Sequence, residues 1–288
     1  MNINSTLIQI GRDAREASSI LSNCSSDLKN QVLIETANKI LKNKELILTA
    51  NLSDVSNAGT KNLSDSMIDR LSLDDNRLFS IIESLHTISS LPDPVGNVLN
   101  TYSRPNGLNI QKISTPIGVI GVIFESRPNV LIDAGALCLK SGNASILRCG
   151  TESVETSRAL HDCFQQALTS VGLPLHSIQL VPTQDRLAVK KLLSMSEFID
   201  VIVPRGGKSL VSLVQREARV PVFAHLEGIV HIYVHEEADP CITTKVIMNS
   251  KTRRPGICGA VECVLIDKNF VKKNGSSFLT DLINAGVD

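Results

Sequence analysis

Apolar positions in the first ninety residues recur at helical spacing. Leu33, Ala37, Ile40 and Leu41 form one stripe within residues 28–48, and Leu78, Ile81, Ile82, Leu85 and Ile88 form another. This is the spacing of helices that bury one face. Residues 54–59 and Leu91-Pro92-Asp93-Pro94 punctuate the stripes, because Gly and Pro interrupt regular structure. The period then changes. Asn106-Gly107 separates two short extended stretches, 100–104 and 108–113, which predicts a hairpin. Beyond it, the short apolar runs 118–124, 144–148, 177–181 and 199–203 predict buried strands. A helix lies between the second and third, with Thr151 offering an N-cap oxygen and Gly172 and Pro174 stopping it. Near-continuous apolar strands separated by helices predict an α/β fold with a doubly wound parallel sheet covered on both faces. A second alternation follows Val220-Pro221: strand 229–235, helix 241–249, strand 261–267 and helix 278–285.

Composition narrows the function. The 288 residues are 42% hydrophobic, about two domains at roughly 150 residues each, and this excludes disorder as the main state. Twenty-nine basic residues balance twenty-nine acidic ones, so the basic excess of a nucleic-acid binder is missing. With 3% aromatics and no Trp, base-stacking platforms are also disfavoured. No apolar run approaches the roughly 18 residues of a membrane span. The N-terminus lacks the pattern of a signal peptide, so a cytoplasmic protein is expected. Seven cysteines without a CxxC pair make neither a disulfide framework nor a zinc site. Most are expected to be small buried residues.

Parallel sheets bind ligands at the carboxyl ends of their strands. The turns there are Glu125-Ser126-Arg127-Pro128-Asn129, Arg148-Cys149-Gly150-Thr151 and Pro204-Arg205-Gly206-Gly207-Lys208-Ser209. Each opens a helix, whose free N–H groups favour phosphate. An Arg in each turn points to an anionic ligand. Neither G-x-G-x-x-G nor a P-loop is present; position 202 is Ile where a P-loop needs its first glycine. A third constellation lies at 249–260. Cys258 follows Arg253 and Arg254 by five and four residues in a Gly-containing loop between a helix and a strand. The thiolate is the reactive form and nearby cations favour it, whereas the other cysteines lie in apolar patterns. Cys258 is therefore the expected nucleophile.

Four linked motifs carry a resemblance that runs the length of the chain: GVIGVIFESRPN at 118–129, LKSGNASILR at 139–148, VPRGG at 203–207 and RPGIC at 254–258. They resemble the gamma-glutamyl phosphate reductases (glutamate-5-semialdehyde dehydrogenases), the proline-biosynthesis branch of the aldehyde dehydrogenase superfamily. The resemblance implies an NADP-binding domain over 1–225, with an oligomerisation hairpin at about 99–114, and the first part of a catalytic domain over 226–288. It implies NADPH-dependent reduction of L-glutamyl 5-phosphate to L-glutamate 5-semialdehyde with release of phosphate, through a cysteine thioester.

Residue by residue, Cys258 matches the nucleophile, and Arg127 stands at or near the oxyanion-stabilising position. Ser126, Asn129, Arg253 and Arg254 are assigned to the substrate, with the division of the two arginines between phosphate and α-carboxylate left open. Lys140, Gly142, Asn143 and Arg148 match the segment approaching the cofactor ribose, and Arg205, Gly206 and Gly207 the turn beneath the pyrophosphate. Thr151 replaces a Glu that NAD-preferring relatives use on the adenine ribose, which fits NADP. Many members carry Lys at 151 and Asn at 259, where this chain has Thr and Gly. Glu227 is read as either structural or catalytic. A homo-oligomer and a glutamate 5-kinase partner are implied; metal, nucleic acid and membrane are not. Relatives continue well beyond residue 288, so a C-terminally truncated chain, inactive alone, is expected. The alternatives are a catalytically dead NADP-binding fragment and another acyl or aldehyde dehydrogenase of the same superfamily.

Overall fold

The computed structural model describes residues 3–59, 65–225, 228–255 and 257–287. The chain divides into two compact units, Met1–His225 and Leu226–Asp288.

Unit 1 begins with five helices, α1 (Ile3–Leu21), α2 (Ser26–Lys42), α3 (Lys44–Gly59), α4 (Asp65–Leu71) and α5 (Asp75–Ser90). The stripe within 28–48 is two helices and not one, because the chain breaks at Asn43, which caps the end of α2. The Ser25 and Asp74 side chains accept the N–H groups of Leu28 and Arg77 and so start α2 and α5, the usual role of such residues. Residues 54–59, read as an interruption, are instead the end of α3, with Asp54 buried. The hairpin follows as β1 (Val98–Ser103) and β2 (Asn109–Ile113), antiparallel and exposed along its whole length.

The sheet comes next: β3 (Val119–Phe124), α6 (Asn129–Lys140), β4 (Ala144–Arg148), α7 (Val154–Val171), β5 (Ile178–Leu180), α8 (Arg186–Leu193), β6 (Val201–Arg205) and α9 (Lys208–Glu217). All four strands are parallel, in the order β5-β4-β3-β6. Every residue of β3 and β4 is buried, as expected of strands covered on both faces. Gly172 ends α7 in the left-handed conformation at φ +80°, which suits a residue without a Cβ. The start of α7 departs from the expected capping. Thr151 lies outside the helix, and Ser153 stands at the cap position without a side-chain bond. Asp54 of α3 supplies the cap, accepting the N–H groups of Glu155 (3.3 Å) and Thr156 (2.8 Å) and the Thr156 hydroxyl (2.6 Å).

The strand order has a direct consequence. From β3 the chain winds outward through β4 to β5, then crosses back to place β6 on the other side of β3. The switch point of the sheet therefore lies between β3 and β6, where open α/β sheets form their ligand crevice.

Unit 2 holds β7 (Val230–Val234), α10 (Pro240–Thr252), β8 (Val261–Ile266), α11 (Lys268–Asn274) and α12 (Ser277–Asn284). Its two strands pair in parallel over a small core of Val234, Ile247, Phe270 and Phe278. Asp239 caps α10 through the Ile242 N–H at 2.8 Å.

Candidate functional site

The turn after β3 passes directly over the switch point. The Glu125 N–H donates to the Arg205 carbonyl at 3.1 Å, and Glu125 Oε2 accepts the Gly207 N–H at 3.1 Å. A Cβ on Gly206 would come within 2.5 Å of that carboxylate and 2.7 Å of Leu210, so a side chain at 206 would push the Glu125 carboxylate from its place against the turn opening α9. Arg205 and Gly207 are exposed.

Ser126, the next residue, is buried and has φ +47°, a positive value found at no other non-glycine residue described. Its N–H and its hydroxyl both donate to Glu152 Oε1, at 2.5 and 3.0 Å. Arg127 is half-buried. Asn129 begins α6 with its amide donating to Asp133 Oδ2 at 3.0 Å.

The turn after β4 begins at Arg148, 7% exposed. One guanidinium nitrogen donates to the Gln184 carbonyl at 3.0 Å, while Nε is buried without a partner. Burial pushes this guanidinium below its ordinary pKa. Thr151 is exposed, and its hydroxyl donates to Glu152 Oε2 at 3.4 Å. Beside it lies a polar cleft of about 370 Å³, lined by Asp54, Asn57, Thr151, Glu152, Glu155 and Arg158 among others.

Arg127, Arg148, Thr151, Arg205, Gly206 and Gly207 thus share the carboxyl edge of one sheet. Lys140, Gly142 and Asn143 do not join them. They precede β4 and so lie at the amino end of the sheet, where each has a packing role. The Lys140 ammonium donates to Asn30 Oδ1 (2.5 Å) and the Ser89 carbonyl (3.0 Å). Gly142 turns the chain at φ +71°. Asn143 Oδ1 accepts the Gly118 N–H at 2.8 Å. The expectation that these three approach the same ligand as Arg148 is corrected on that ground.

The picture of Arg-rich anion turns also needs revision. Glu125 and Glu152 stand among the arginines and occupy the N–H groups of Gly207 and Ser126. A phosphate reaching for the Gly207 N–H must displace a carboxylate. Both acids were missed because each meets its partner across the sheet. In the fold, glycines make the room for both: a Cβ on Gly150 would overlap the Glu152 carboxylate, as one on Gly206 would crowd Glu125.

In unit 2, Cys258 lies exposed in the turn between α10 and β8. The Arg253 N–H closes α10 by donating to the Asn249 carbonyl, and the Arg254 carbonyl accepts the Ile257 N–H, both at 3.3 Å. Both arginines are exposed. Glu227 lies outside the described residues. The remaining cysteines are less uniform than their apolar patterns suggested. Cys138, Cys149 and Cys163 are buried, and burial pushes the thiols of Cys138 and Cys163 up to about 12 and about 11. Cys241, however, is exposed on α10 and Cys263 is half-buried on β8, because a small unit buries only one side of its elements.

The aldehyde dehydrogenase family pattern matches residues 6–284. A gamma-glutamyl phosphate reductase of Rhizobium johnstonii is 50% identical over 288 residues, which is all of this chain and 67% of that protein. Among solved structures, the gamma-glutamyl phosphate reductase of Thermotoga maritima superposes with a TM-score of 0.93 at 36% identity, over 98% of this chain and 68% of the other. The enzyme of the same name from Saccharomyces cerevisiae gives 0.71 at 33% identity, over 96% and 68%. No helix of the described residues is long and apolar enough to cross a membrane. The chain spans about two thirds of the length of these relatives. It belongs to the aldehyde dehydrogenase family and, within it, to the gamma-glutamyl phosphate reductases.

Proposed function

We propose that this chain carries the cofactor and nucleophile residues for NADPH-dependent reduction of L-glutamyl 5-phosphate to L-glutamate 5-semialdehyde, in the cytoplasmic synthesis of proline. The observation that carries the reading is an exposed cysteine, Cys258, in the loop that follows two exposed arginines, in a chain half identical to a reductase of that name. As thiolate, the Cys258 sulfur attacks the acyl carbon and forms a C–S bond. The tetrahedral oxyanion is assigned to the Cys258 N–H and Arg127, each donor worth about 3 kcal/mol when aimed correctly. Collapse breaks the carbon–oxygen bond to phosphate, which leaves with the electron pair, and a thioester remains. Arg253 and Arg254 divide the leaving phosphate and the α-carboxylate, since guanidinium suits paired oxygens. Ser126 and Asn129 complete the substrate assignments. Phosphate is the leaving group, so no base is needed to activate water.

The carboxyl edge of unit 1 suits a phosphorylated dinucleotide. Arg148 offers a buried Nε without a partner, and the glycines at 206 and 207 put no side chain over the start of α9, where a ligand would take the Gly207 N–H from Glu125. Arg148, Thr151, Arg205, Gly206 and Gly207 would hold it, with Arg148 available to a 2′-phosphate. No carboxylate stands at residue 151 to repel that group, and Glu152 is committed to Ser126. When bound, the nicotinamide supplies the hydride that reduces the thioester to the aldehyde. The exposed hairpin, with Val98, Leu99, Tyr102, Ile110 and Ile113 on its surface, is assigned to contacts with a second copy, and a glutamate 5-kinase to supply of the acyl phosphate.

The test is made in the whole protein. Substrate-dependent NADPH oxidation should release one phosphate per NADPH and should vanish in Cys258→Ser, with NADPH affinity kept within a few-fold. Comparable turnover in the Ser variant would refute the nucleophile. Equal or better specificity constants with NADH would refute the cofactor.

A further inference from the structure

We infer that Glu152 is a positioning residue, which sets the conformation of the 125–129 turn from the cofactor side of the sheet. The inference rests on the reading above, in which that turn faces substrate and the 148–151 turn faces cofactor. One carboxylate oxygen, Glu152 Oε1, takes two hydrogen bonds from Ser126, from its N–H at 2.5 Å and its hydroxyl at 3.0 Å. Charge-assisted bonds of this kind are the strong ones. Ser126 is the residue that needs such a hold. It is buried at φ +47°, in a region that side-chain-bearing residues populate rarely and keep only when the surroundings impose it.

Two further features fit a fixed berth for this carboxylate, and a third ties the 125–129 turn to α9. Gly150 leaves the space, since a Cβ there would overlap Glu152 Oε1. The other oxygen, Oε2, accepts the Thr151 hydroxyl at 3.4 Å, so one side chain joins the residue assigned to the cofactor ribose to the turn assigned to the substrate. Glu125 meanwhile ties the same turn to Gly207. The three turns at the carboxyl edge are thereby linked through two adjacent positions of one turn, Glu125 and Ser126. A ligand arriving at 148–151 meets a 125–129 turn already in place, and preorganisation of this kind lowers the ordering cost of binding.

Three variants separate positioning from general support. Glu152→Ala removes the carboxylate, Gly150→Ala displaces it without deleting it, and Glu152→Gln keeps an acceptor oxygen in its place. Two readouts are taken on the whole protein: hydrogen exchange in the peptide spanning 124–130, and the dissociation constant for NADPH. Loss of a part-buried, charge-assisted pair of bonds should raise exchange in 124–130 about tenfold or more and weaken NADPH about tenfold in the two Ala variants. Glu152→Gln should recover both to within about threefold.

Unchanged exchange in 124–130 would overturn the inference, because the turn would then not depend on the clamp. So would raised exchange with unaltered NADPH affinity, since the turn would be held but would not matter to the site. Exchange rising equally throughout unit 1, with no recovery in the Gln variant, would mean a merely structural role and would also overturn it. Failure of the functional reading looks different: the unmodified protein would itself bind neither NADPH nor NADH, and the inference would fall with that reading.

Discussion

Replacing Asp54 by Ala should destabilise unit 1 by about 3 kcal/mol. Asp54 is 5% exposed and, among the described residues, its side chain caps the 18-residue helix α7, since Ser153 at the cap position makes no such bond. The Ala variant loses an N-cap, which costs about 1 kcal/mol on its own. It also leaves the buried Thr156 N–H without its acceptor, at about 1–3 kcal/mol for a stranded buried group. Losing a negative charge from the positive end of a helix adds up to about 1 kcal/mol. Asp54→Asn keeps an oxygen for the shortest bonds and should cost about half as much. Urea unfolding of unit 1, followed by far-UV circular dichroism, measures both values. On heating, the Ala variant should melt about 6–12 °C lower, at roughly 2–4 °C per kcal/mol for a unit of this size. If both variants unfold within 0.5 kcal/mol of the parent, Asp54 does not hold α7. If Asn costs as much as Ala, the geometry of the bonds is not what matters.

His161 should impose a pH dependence. Burial lowers its pKa, outweighing the hydrogen bond to the Ile178 carbonyl, so the folded state favours the neutral ring. Stability should be full above the unfolded value of about 6.5 and fall as pH drops below it towards the folded value. Urea titrations from pH 7.5 to 5 should show this slope flattened in His161→Gln; an unaltered slope refutes the assignment. Thiol labelling at pH 8 should mark Cys258 and Cys241 in the folded chain and spare Cys138 and Cys163, whose thiols at about 12 and about 11 stay protonated; rapid labelling of the latter pair contradicts their burial. Lys29→Met should cost about 3 kcal/mol in the same urea assay, because it takes the cation from Asp93, whose carboxylate lies 2.6 Å from the buried ammonium and keeps the Val95 N–H. A loss below 1 kcal/mol would show that Asp93 finds water instead.

Most of the sheet was legible in the sequence. The run 144–148 coincides with β4 and Asn106-Gly107 with the turn of the hairpin, because buried parallel strands and Asn-Gly turns have local signatures. Elements with small or polar buried faces were not legible. Helix α1 buries Gly11, Ala14, Ala17 and Ser18 beside Leu7 and Leu21, a face too small in side-chain volume to stand out as a stripe. The end of α3 read as loop because Asp54, Ser56, Asn57 and Gly59 are loop-type residues, and what rewards Asp54 for being helical is a bond to Thr156, far along the chain. Lys140, Gly142 and Asn143 were misplaced for a different reason. They precede β4, and residues that precede a parallel strand lie at its amino end, away from the ligand edge. Glu125 and Glu152 show the general limit, since the carboxylates that join the three turns reach across strands and leave no trace in spacing.

The most direct test of the central claim is the covalent state of Cys258. The whole protein is mixed with L-glutamyl 5-phosphate in the absence of NADPH, quenched in acid, digested and analysed by mass spectrometry. The expected result is a glutamyl thioester on the peptide carrying Cys258, matched by an equal amount of released phosphate and lost when NADPH is added. The Cys258→Ser variant should show neither adduct nor phosphate burst. An adduct on Cys241 or Cys263 in place of Cys258, or NADPH-dependent turnover that survives Cys258→Ser, would contradict the assignment.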